Sequence, residues 1–326
     1  MLSKKINTAY LESITDDFGV WQHAHGKTPA KEYGYALDDA ARALIVYVLL
    51  KDYDHAETCL RYLEVSVKNG LMVGFFDEHR SVVIEPSSED ALGLAFWALA
   101  YAASHGFEEQ RSTQLYRSLN KDVLLHSKHL RSHAYALIAA SLMHDELSAA
   151  KHEKFILQKY NPALKWFEEK LRYANAVVPY ALFVRYQHAP SEQLLSVAHG
   201  SLELLNSRQK IGAFPAPVGN REWYTIGQKS QDPYGQQPID AAFMVLAWLE
   251  AAKVLKDSTA SMQAEYWMSW FYGHNIWQMP LVDTSDGSCM DGLDEFGPNQ
   301  NRGAESTIMY IWAQVAMEKS RVRKNA

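Results

Sequence analysis

Residues 34–50 read GYALDDAARALIVYVLL, and they set the pattern for the chain. Asp38 and Asp39 stand where a helix begins, and a carboxylate there accepts from free backbone N–H groups and faces the positive end of the helix dipole. From position 40 to 50 only Arg42 is charged. A helix that is apolar all round is buried among other helices, so this stretch predicts a central helix.

The same pattern recurs five times. The further apolar segments are ALGLAFWALAYAA (91–103), AYALIAASLM (134–143), AVVPYALFV (176–184), AAFMVLAWLEAA (241–252) and IMYIWAQVAM (308–317). A polar or charged residue precedes each of them, which predicts inner helices that begin near residues 38, 89, 132, 175, 239 and 305. More polar segments with one apolar stripe lie between them and predict outer helices that begin near residues 3, 54, 109, 148, 190 and 258.

Twelve helices that alternate between outer and inner positions form six hairpins. The natural closure of such hairpins is an all-α (α/α)6 toroid, with one domain over residues 1–326 and parallel inner helices whose N-termini share one mouth. Residues 71–76 and 81–84 alternate in hydrophobicity, and they predict a small β-hairpin over that mouth.

Composition excludes several classes of protein. The chain has a net charge of −6, a sequence pI near 6.1 and two cysteines, Cys59 and Cys289. It lacks the basic field that attracts nucleic acid and an apolar run long enough to cross a membrane. The N-terminal residues lack the apolar core of a signal peptide. These features predict a cytoplasmic protein with free thiols and no nucleic-acid or membrane partner.

Carboxylates gather at the predicted inner-helix starts. We predict Asp39, Asp90, Asp240 and Glu305 as catalytic acid and base candidates, with Asp38 and Glu89 beside them as binding residues. Cleavage of a glycosidic bond needs one protonated and one ionised carboxyl group, and crowded like charges raise one pKa. The alternative is that these carboxylates only cap helices.

Glu305 follows the small residues Gly303 and Ala304, which allow a ligand to approach the backbone. Its position in a first helical turn predicts that the dipole lowers its pKa and holds it ionised as a base or nucleophile. Asp39 or Asp90, each beside another carboxylate, is then the better acid.

Aromatic and polar residues in the loops before the inner helices complete the predicted site. Flat rings beside carboxylates and amides suit a sugar, which offers C–H faces and hydroxyls; alternatively, the rings cover the end of the core. The predicted substrate-binding set is Trp21, His23, Tyr35, His133, Trp223, Tyr234, Gln237, Asn301 and Arg302. Arg302 is also a possible contact for an anion such as phosphate.

The sequence gives no reason to expect a metal or a cofactor. The nucleotide-binding patterns GxGxxG and GxxxxGK[ST] are absent, the histidines and cysteines do not cluster, and the aspartates between 283 and 294 miss the EF-hand spacing.

Five segments of this chain resemble one known family. They are FGVWQHAHGKTP (18–29), GYALDDAARALI (34–45), SSEDALGLAFWALAYA (87–102), QQPIDAAFMVLAWLEA (236–251) and GSCMDGLDEFGPNQNRGAESTIMYIWA (287–313). The family comprises six-hairpin, glycosidase-like (α/α)6 domains that occur alone or attached to bacterial glycosyltransferases. Its members usually read DDNARAL and EDxxGRAxWAL, whereas this chain has Ala40 for the Asn and Leu94 for the Arg. The resemblance implies carbohydrate chemistry and a functional link to a glycosyltransferase.

The first hypothesis is therefore a glycoside hydrolase, or a phosphorylase, that acts on an oligosaccharide through paired carboxylates. Two other hypotheses fit the same pattern. A non-catalytic glycan-binding domain that serves a transferase needs the aromatic mouth without a perturbed carboxylate, and a sugar epimerase of toroidal shape relies on histidine bases.

Overall fold

A computed structural model of the protein describes residues 6–324. Most of this part of the chain is helical. The helices are α1 (Ala9–Ser13), α2 (Leu37–Leu50), α3 (Tyr53–Val65), α4 (Glu89–Ser104), α5 (Glu109–Ser118), α6 (Asp122–Leu125), α7 (Leu130–Leu142), α8 (Glu146–Lys159), α9 (Val177–His188), α10 (Glu192–Arg208), α11 (Pro238–Leu255), α12 (Ser258–Ser269) and α13 (Ala304–Lys324), with a 3-10 turn at Lys31–Tyr33.

Six of these helices form a closed inner ring. Helices α2, α4, α7, α9, α11 and α13 each contact the next, and α13 returns to contact α2. Helices α3, α5, α8, α10 and α12 each pack outside the inner helix that precedes them. The protein is an all-α (α/α)6 toroid with parallel inner helices, which confirms the predicted fold class.

Burial explains which helices occupy the ring. Every residue of α11 from Pro238 to Ala251 is buried, and α2 is buried from Asp39 to Val48. The outer helix α3 buries only one stripe, which includes Cys59 and Leu63. All-round apolar sequence therefore places a helix inside, because no face of it is polar enough to be solvated.

Several details differ from the sequence prediction. The first outer helix is only the five-residue α1, beginning at Ala9, and the predicted start near residue 3 lies outside the described residues. Ile6 and later residues of this segment pack against the core without extending the helix. The inner helices predicted near 132 and 175 begin at Leu130 and Val177, which shifts each start by two residues.

Short strands occur in the loops. They are β1 (Ala24–His25), β2 (Thr28–Pro29), β3 (Tyr35–Ala36), β4 (Val67–Lys68), β5 (Leu71–Met72), β6 (Phe75–Phe76), β7 (Val82–Ile84), β8 (Lys170–Leu171), β9 (Lys210–Ile211), β10 (Phe214–Pro215), β11 (Tyr224–Thr225), β12 (Val282–Asp283), β13 (Ser288–Cys289), β14 (Gly292–Asp294) and β15 (Gly297–Asn299).

The predicted hairpin over residues 71–84 forms in a modified way. Strands β6 and β7 pair antiparallel, and β6 also pairs with β3, directly before α2. Strand β5 pairs instead with β4, because the backbone changes partner at Val73, whose N–H donates to the Ser66 carbonyl. The hairpin is thus tied to the start of α2.

An aromatic layer, formed by Trp97, Tyr135, Phe243 and Trp312, fills the middle of the ring. The centroid of the Trp97 ring lies 5.0 Å from that of Trp312, 6.0 Å from that of Tyr135 and 6.4 Å from that of Phe243. These rings divide the lumen into two ends.

Within residues 6–324, both cysteines are free and buried, and no helix has the length and hydrophobicity to cross a membrane.

Candidate active site

A cleft opens where the inner helices begin. Its main part has a volume of about 550 Å³, and a side chamber of about 190 Å³ adjoins it. Asp38, Gln237 and Glu305 line both parts, so they stand at the junction. The main part is also lined by Arg42, Ser88, Glu89, Asp90, Ala91, Leu94, His129, Tyr135, Tyr173, Trp223 and Ile239.

The guanidinium of Arg42 holds three carboxylates at the floor of this cleft. Its Nη1 lies 3.0 Å from Asp38 Oδ2 and 3.1 Å from Asp39 Oδ1, and its Nη2 lies 2.9 Å from Glu305 Oε2. The Arg42 side chain is only 5% exposed, whereas Asp38 and Glu305 are about one third exposed, at 31% and 34%. One buried cation therefore positions two carboxylates that a ligand can reach.

Burial controls the protonation of this cluster. Burial raises the pKa of Asp39 well above its usual range, and the charge of Asp38 adds to the effect while Arg42 opposes it. Burial also raises the pKa of Glu305, with Arg42 again opposing and Asp38 and Asp291 adding. The predicted lowering of the Glu305 pKa is therefore wrong, because burial is the largest influence on this carboxyl group and acts in the opposite direction.

Glu89 and Asp90 form the neighbouring wall, at the start of α4. The Ser132 hydroxyl and the Tyr173 hydroxyl both donate to Asp90, one to each carboxylate oxygen. The Ser127 hydroxyl donates to Glu89, and His129 Nε2 lies 3.9 Å from the same carboxylate. Burial, followed by the charge of Asp90, raises the pKa of Tyr173. Tyr173 therefore stays protonated and donates.

Asp240 does not line the cleft, contrary to the sequence prediction. It is buried at the start of α11, and its Oδ1 has no hydrogen-bond partner within residues 6–324. Burial raises its pKa to about 8, although the backbone N–H groups of Ala174 and Asn175 oppose that shift. Asp240 faces the chain that leads into α9, because α11 and α9 are ring neighbours.

Two predicted wall aromatics lie below the cleft surface. Trp21 and Tyr35 stack with ring centroids 4.2 Å apart, and both are buried. The Tyr35 hydroxyl donates to Asp16 Oδ2 at 2.6 Å. These rings pack the loop before α2 onto the core, and the structure does not place them in the cleft walls as predicted. Trp223 does line the cleft, beside Tyr173.

The side chamber brings together residues from three loops. His23, Gln237 and Glu305 line it, together with Asp291 and Ser306. Asp291 Oδ1 accepts a hydrogen bond from the Gly303 N–H at 2.6 Å, which fixes the backbone just before α13. Burial raises the pKa of Asp291.

His133 points away from the cleft. Its Nε2 lies 3.1 Å from the Ser127 carbonyl oxygen, and its Nδ1 lies 2.9 Å from Nδ1 of His152. Its ring stacks on Phe155 with centroids 3.6 Å apart. The predicted contact with substrate is therefore wrong: His133 belongs to the buried packing between α7 and α8.

Tyr234, Asn301 and Arg302 also lie outside the cleft lining. Asn301 Oδ1 accepts from the Gly26 N–H at 3.0 Å. Arg302 is buried and donates from Nε to Ser288 Oγ at 3.0 Å, so it holds a loop and is not a contact for phosphate in the cleft. The guanidinium carbon of Arg221 lies over the Tyr234 ring, 5.1 Å from the ring centroid.

Sequence reasoning missed several cleft residues. Arg42 carried a usable signal, because it lies four residues after Asp38 and three after Asp39, on the same helical face. Tyr173, His129 and Asp291 come from loops whose paths no local pattern specifies. Within residues 6–324 no group of three or more His, Cys, Asp or Glu side chains is arranged to hold a metal ion.

Comparison with known proteins relates the chain by its structure. No family model matches it, and no curated protein sequence does. A cellobiose 2-epimerase from Bacillus thermoamylovorans superposes with a TM-score of 0.75 at 11% identity, over 97% of this chain and 96% of that one. A D-mannose isomerase superposes at 0.72 and 12% identity, over 96% and 94%.

Glycan-cleaving enzymes are also similar in structure. An inactive variant of an α-1,6-mannanase from a Salegentibacter species, in complex with α-1,6-mannotetrose, superposes with a TM-score of 0.65 at 11% identity, over 95% of this chain and 96% of that one. At these identities the likeness establishes the shared (α/α)6 fold.

Proposed function

We propose that the protein is a carbohydrate-active enzyme that hydrolyses a glycosidic bond in its cleft. The observation that carries this proposal is the gathering of Asp38, Asp39 and Glu305 on the single buried guanidinium of Arg42. Glycoside cleavage needs two carboxyl groups of opposite protonation beside one bond, and this cluster supplies carboxyl groups in unequal environments.

The burial of each carboxyl group and its access to the cleft decide its role. Glu305 is exposed to the cleft and burial raises its pKa, so it is the general acid that protonates the leaving oxygen. Asp38 reaches the same junction and acts as the ionised carboxylate, either activating water or attacking the sugar. The Asp39 side chain is almost fully buried beside Asp38 and Glu305 and contacts the same guanidinium. Burial raises the pKa of Asp39. This reverses the role that the sequence predicts for Glu305.

The rest of the cleft suits a neutral sugar. Trp223 and Tyr173 offer flat faces, while Gln237, Glu89 and Asp90 offer partners for hydroxyl groups. The mannanase in the comparison is inactive when two consecutive aspartates are replaced. Asp38 and Asp39 are consecutive here, and Glu89 is followed by Asp90, which supports glycan cleavage as the reaction.

A second candidate is sugar epimerisation. His23 lines the side chamber and His129 lines the main cleft, so two imidazoles lie on either side of the junction. Imidazole is a side chain that enzymes use to remove and return protons. The cellobiose epimerase and the mannose isomerase in the comparison have TM-scores above that of the mannanase.

One experiment separates these functions. The protein is incubated with neutral manno- and gluco-oligosaccharides, in parallel in heavy-oxygen water and in deuterated water, and products are identified by mass spectrometry. Hydrolysis yields shorter sugars with one heavy oxygen at the new reducing end, whereas epimerisation yields a sugar of unchanged length with deuterium on carbon. Shorter, heavy-oxygen-labelled products support the proposal. Deuterium on carbon without cleavage contradicts it and supports the epimerase, and binding without either product supports the glycan-binding hypothesis.

A further inference from the structure

A second cavity, of about 730 Å³, lies at the other end of the ring. It is lined by the C-terminal halves of the six inner helices and by the start of α12. The aromatic layer separates it from the cleft, since Tyr135 lines the cleft while Trp97 and Trp312 line this cavity. We call it the distal cavity, and nothing in the chemistry of the cleft requires it.

The walls of the distal cavity are apolar and its inner end is flat. Leu142, Val184 and Leu246 contribute aliphatic walls. Trp97 and Trp312 lie 5.0 Å apart at the inner end, and the Tyr180 ring lies 5.6 Å from Trp97. Such surfaces favour a planar apolar ligand that packs on aromatic rings.

The lining contains one buried carboxylate that can bind such a ligand. Glu250 is buried and accepts hydrogen bonds from Gln187 Nε2 and from Lys253 Nζ, one on each carboxylate oxygen. Each oxygen has a second lone pair and can accept another donor. Ser261 also lines the cavity, and its buried hydroxyl has no hydrogen-bond partner in the described part of the chain, although that oxygen itself has almost no accessible surface. Glu250 is therefore the polar group that the proposed ligand contacts.

The charges around the rim nearly cancel. Lys253, Lys256 and Lys319 face two carboxylates, Glu250 and Asp257. Several inner helices also end at this rim, and each brings a partial negative charge of about half an electron. Lys319 in fact donates to the last turn of α2, at the Leu49 carbonyl, 2.8 Å away. The rim therefore selects neither an anion nor a cation.

We propose that the distal cavity binds an uncharged, hydroxyl-bearing aromatic compound of two or three rings. The rings pack against Trp97 and Trp312, and the hydroxyl donates to Glu250. A volume of about 730 Å³ accommodates a ligand of this size, because sites for small molecules span about 300 to 1,000 Å³. The site is independent of the reaction proposed for the cleft.

The test uses the full chain and three probes that share one ring system. Binding of β-naphthol, of β-naphthalenesulfonate and of protonated naphthylmethylamine is measured by isothermal titration calorimetry at neutral pH. We expect β-naphthol to bind at least about tenfold more tightly than either charged probe, because a charge loses its hydration and the lysines and carboxylates of the lining largely offset one another. Absence of β-naphthol binding, or tighter binding of a charged probe, overturns the proposal.

Three variants locate the bound probe. Ala252→Phe fills the distal cavity, whereas Val254→Phe adds a ring at a half-buried position of the same helix that does not line it. Trp223→Ala alters the cleft. We expect Ala252→Phe to weaken β-naphthol at least about tenfold and the other two to leave its affinity within about twofold. Unchanged binding to a folded Ala252→Phe, or binding lost in Trp223→Ala, places the probe elsewhere and overturns the proposal.

Discussion

The Glu305 carboxyl group lies 2.9 Å from Nη2 of Arg42, and this contact joins the last inner helix to the first. Helices α13 and α2 are neighbours only because the ring closes. Asp38 and Asp39 contact Nη1 of the same guanidinium from within α2. One buried side chain therefore links the two helices that close the ring and gathers the cleft carboxylates.

Arg42→Lys tests that dependence. A lysine ammonium lacks the two-armed fork, so at least one carboxylate loses its buried partner, and we expect a loss of about 1–3 kcal/mol in unfolding free energy. Arg185→Lys is the matched control, because Arg185 is equally buried and also pairs with two glutamates, Glu146 and Glu153, outside the cleft. Urea denaturation should show both losses, and turnover should fall only in Arg42→Lys. A comparable loss of turnover in Arg185→Lys would mean that stability alone explains the effect.

The sequence was sufficient to predict the ring but not all of the site. Helix burial depends on local composition, so segments such as residues 241–252, apolar on every face, were readable as inner helices. Because the inner helices are parallel, a carboxylate at the start of one of them is also predicted to lie at the end of the ring where the cleft opens. The sequence does not indicate how each helix is rotated about its own axis. That rotation directs Asp240 toward α9 and Asp90 toward the cleft. Loop aromatics such as Tyr35 depend on tertiary packing that no short pattern encodes.

Asp240→Asn should leave the enzyme active. Because burial raises the Asp240 pKa to about 8, the side chain is mostly protonated at neutral pH, and an amide resembles that form. The folded state holds this proton more tightly than the unfolded state, so the contribution of Asp240 to stability falls as pH rises from about 4 to about 8. Asp240→Asn should therefore keep turnover within about twofold and flatten the pH dependence of unfolding in that range. Loss of turnover in a folded variant would restore Asp240 as a catalytic candidate.

The buried histidine pair should make the fold sensitive to acid. Burial lowers the pKa of His133, and it lowers the pKa of His152 to about 3, with the neighbouring His133 adding to the effect. The folded state favours the neutral form of both rings. Their contribution to the free energy of unfolding is therefore complete above the unfolded-state pKa of about 6.5 and is lost as pH falls toward about 3.

His152→Gln removes one of these protons from the unfolding equilibrium. Between about pH 6 and pH 4, the slope of unfolding free energy against pH should decrease by up to about 1.4 kcal/mol per pH unit. His25→Gln is the control, because His25 is exposed and pairs only with Glu32 at the surface. Chemical denaturation at several pH values measures both. An unchanged slope in His152→Gln would show that the pair titrates normally.

Gly34 should be essential for the loop that leads into α2. It adopts φ +65°, and an added Cβ would lie 2.0 Å from the Phe76 carbonyl oxygen. Gly34→Ala should therefore destabilise the protein by at least about 1–3 kcal/mol. Gly26→Ala separates the two causes, since Gly26 has φ +60° but no heavy atom within 4 Å of the added Cβ. Equal losses in urea denaturation would show that conformation, and not the contact with Phe76, limits this position.

The most direct measurement of the central claim compares Glu305→Gln with Glu153→Gln. Each substitution replaces the carboxyl group of a partly exposed glutamate with an amide, which cannot transfer a proton, and each glutamate lies beside a buried arginine, Arg42 or Arg185, at 2.9 or 2.8 Å. The measured quantity is the single-turnover rate of cleavage of an oligosaccharide that the wild-type protein hydrolyses, with unfolding free energy recorded alongside. We predict that Glu305→Gln lowers the rate by about 10²-fold or more, while Glu153→Gln changes it less than about twofold. A folded Glu305→Gln variant with wild-type turnover would contradict the account.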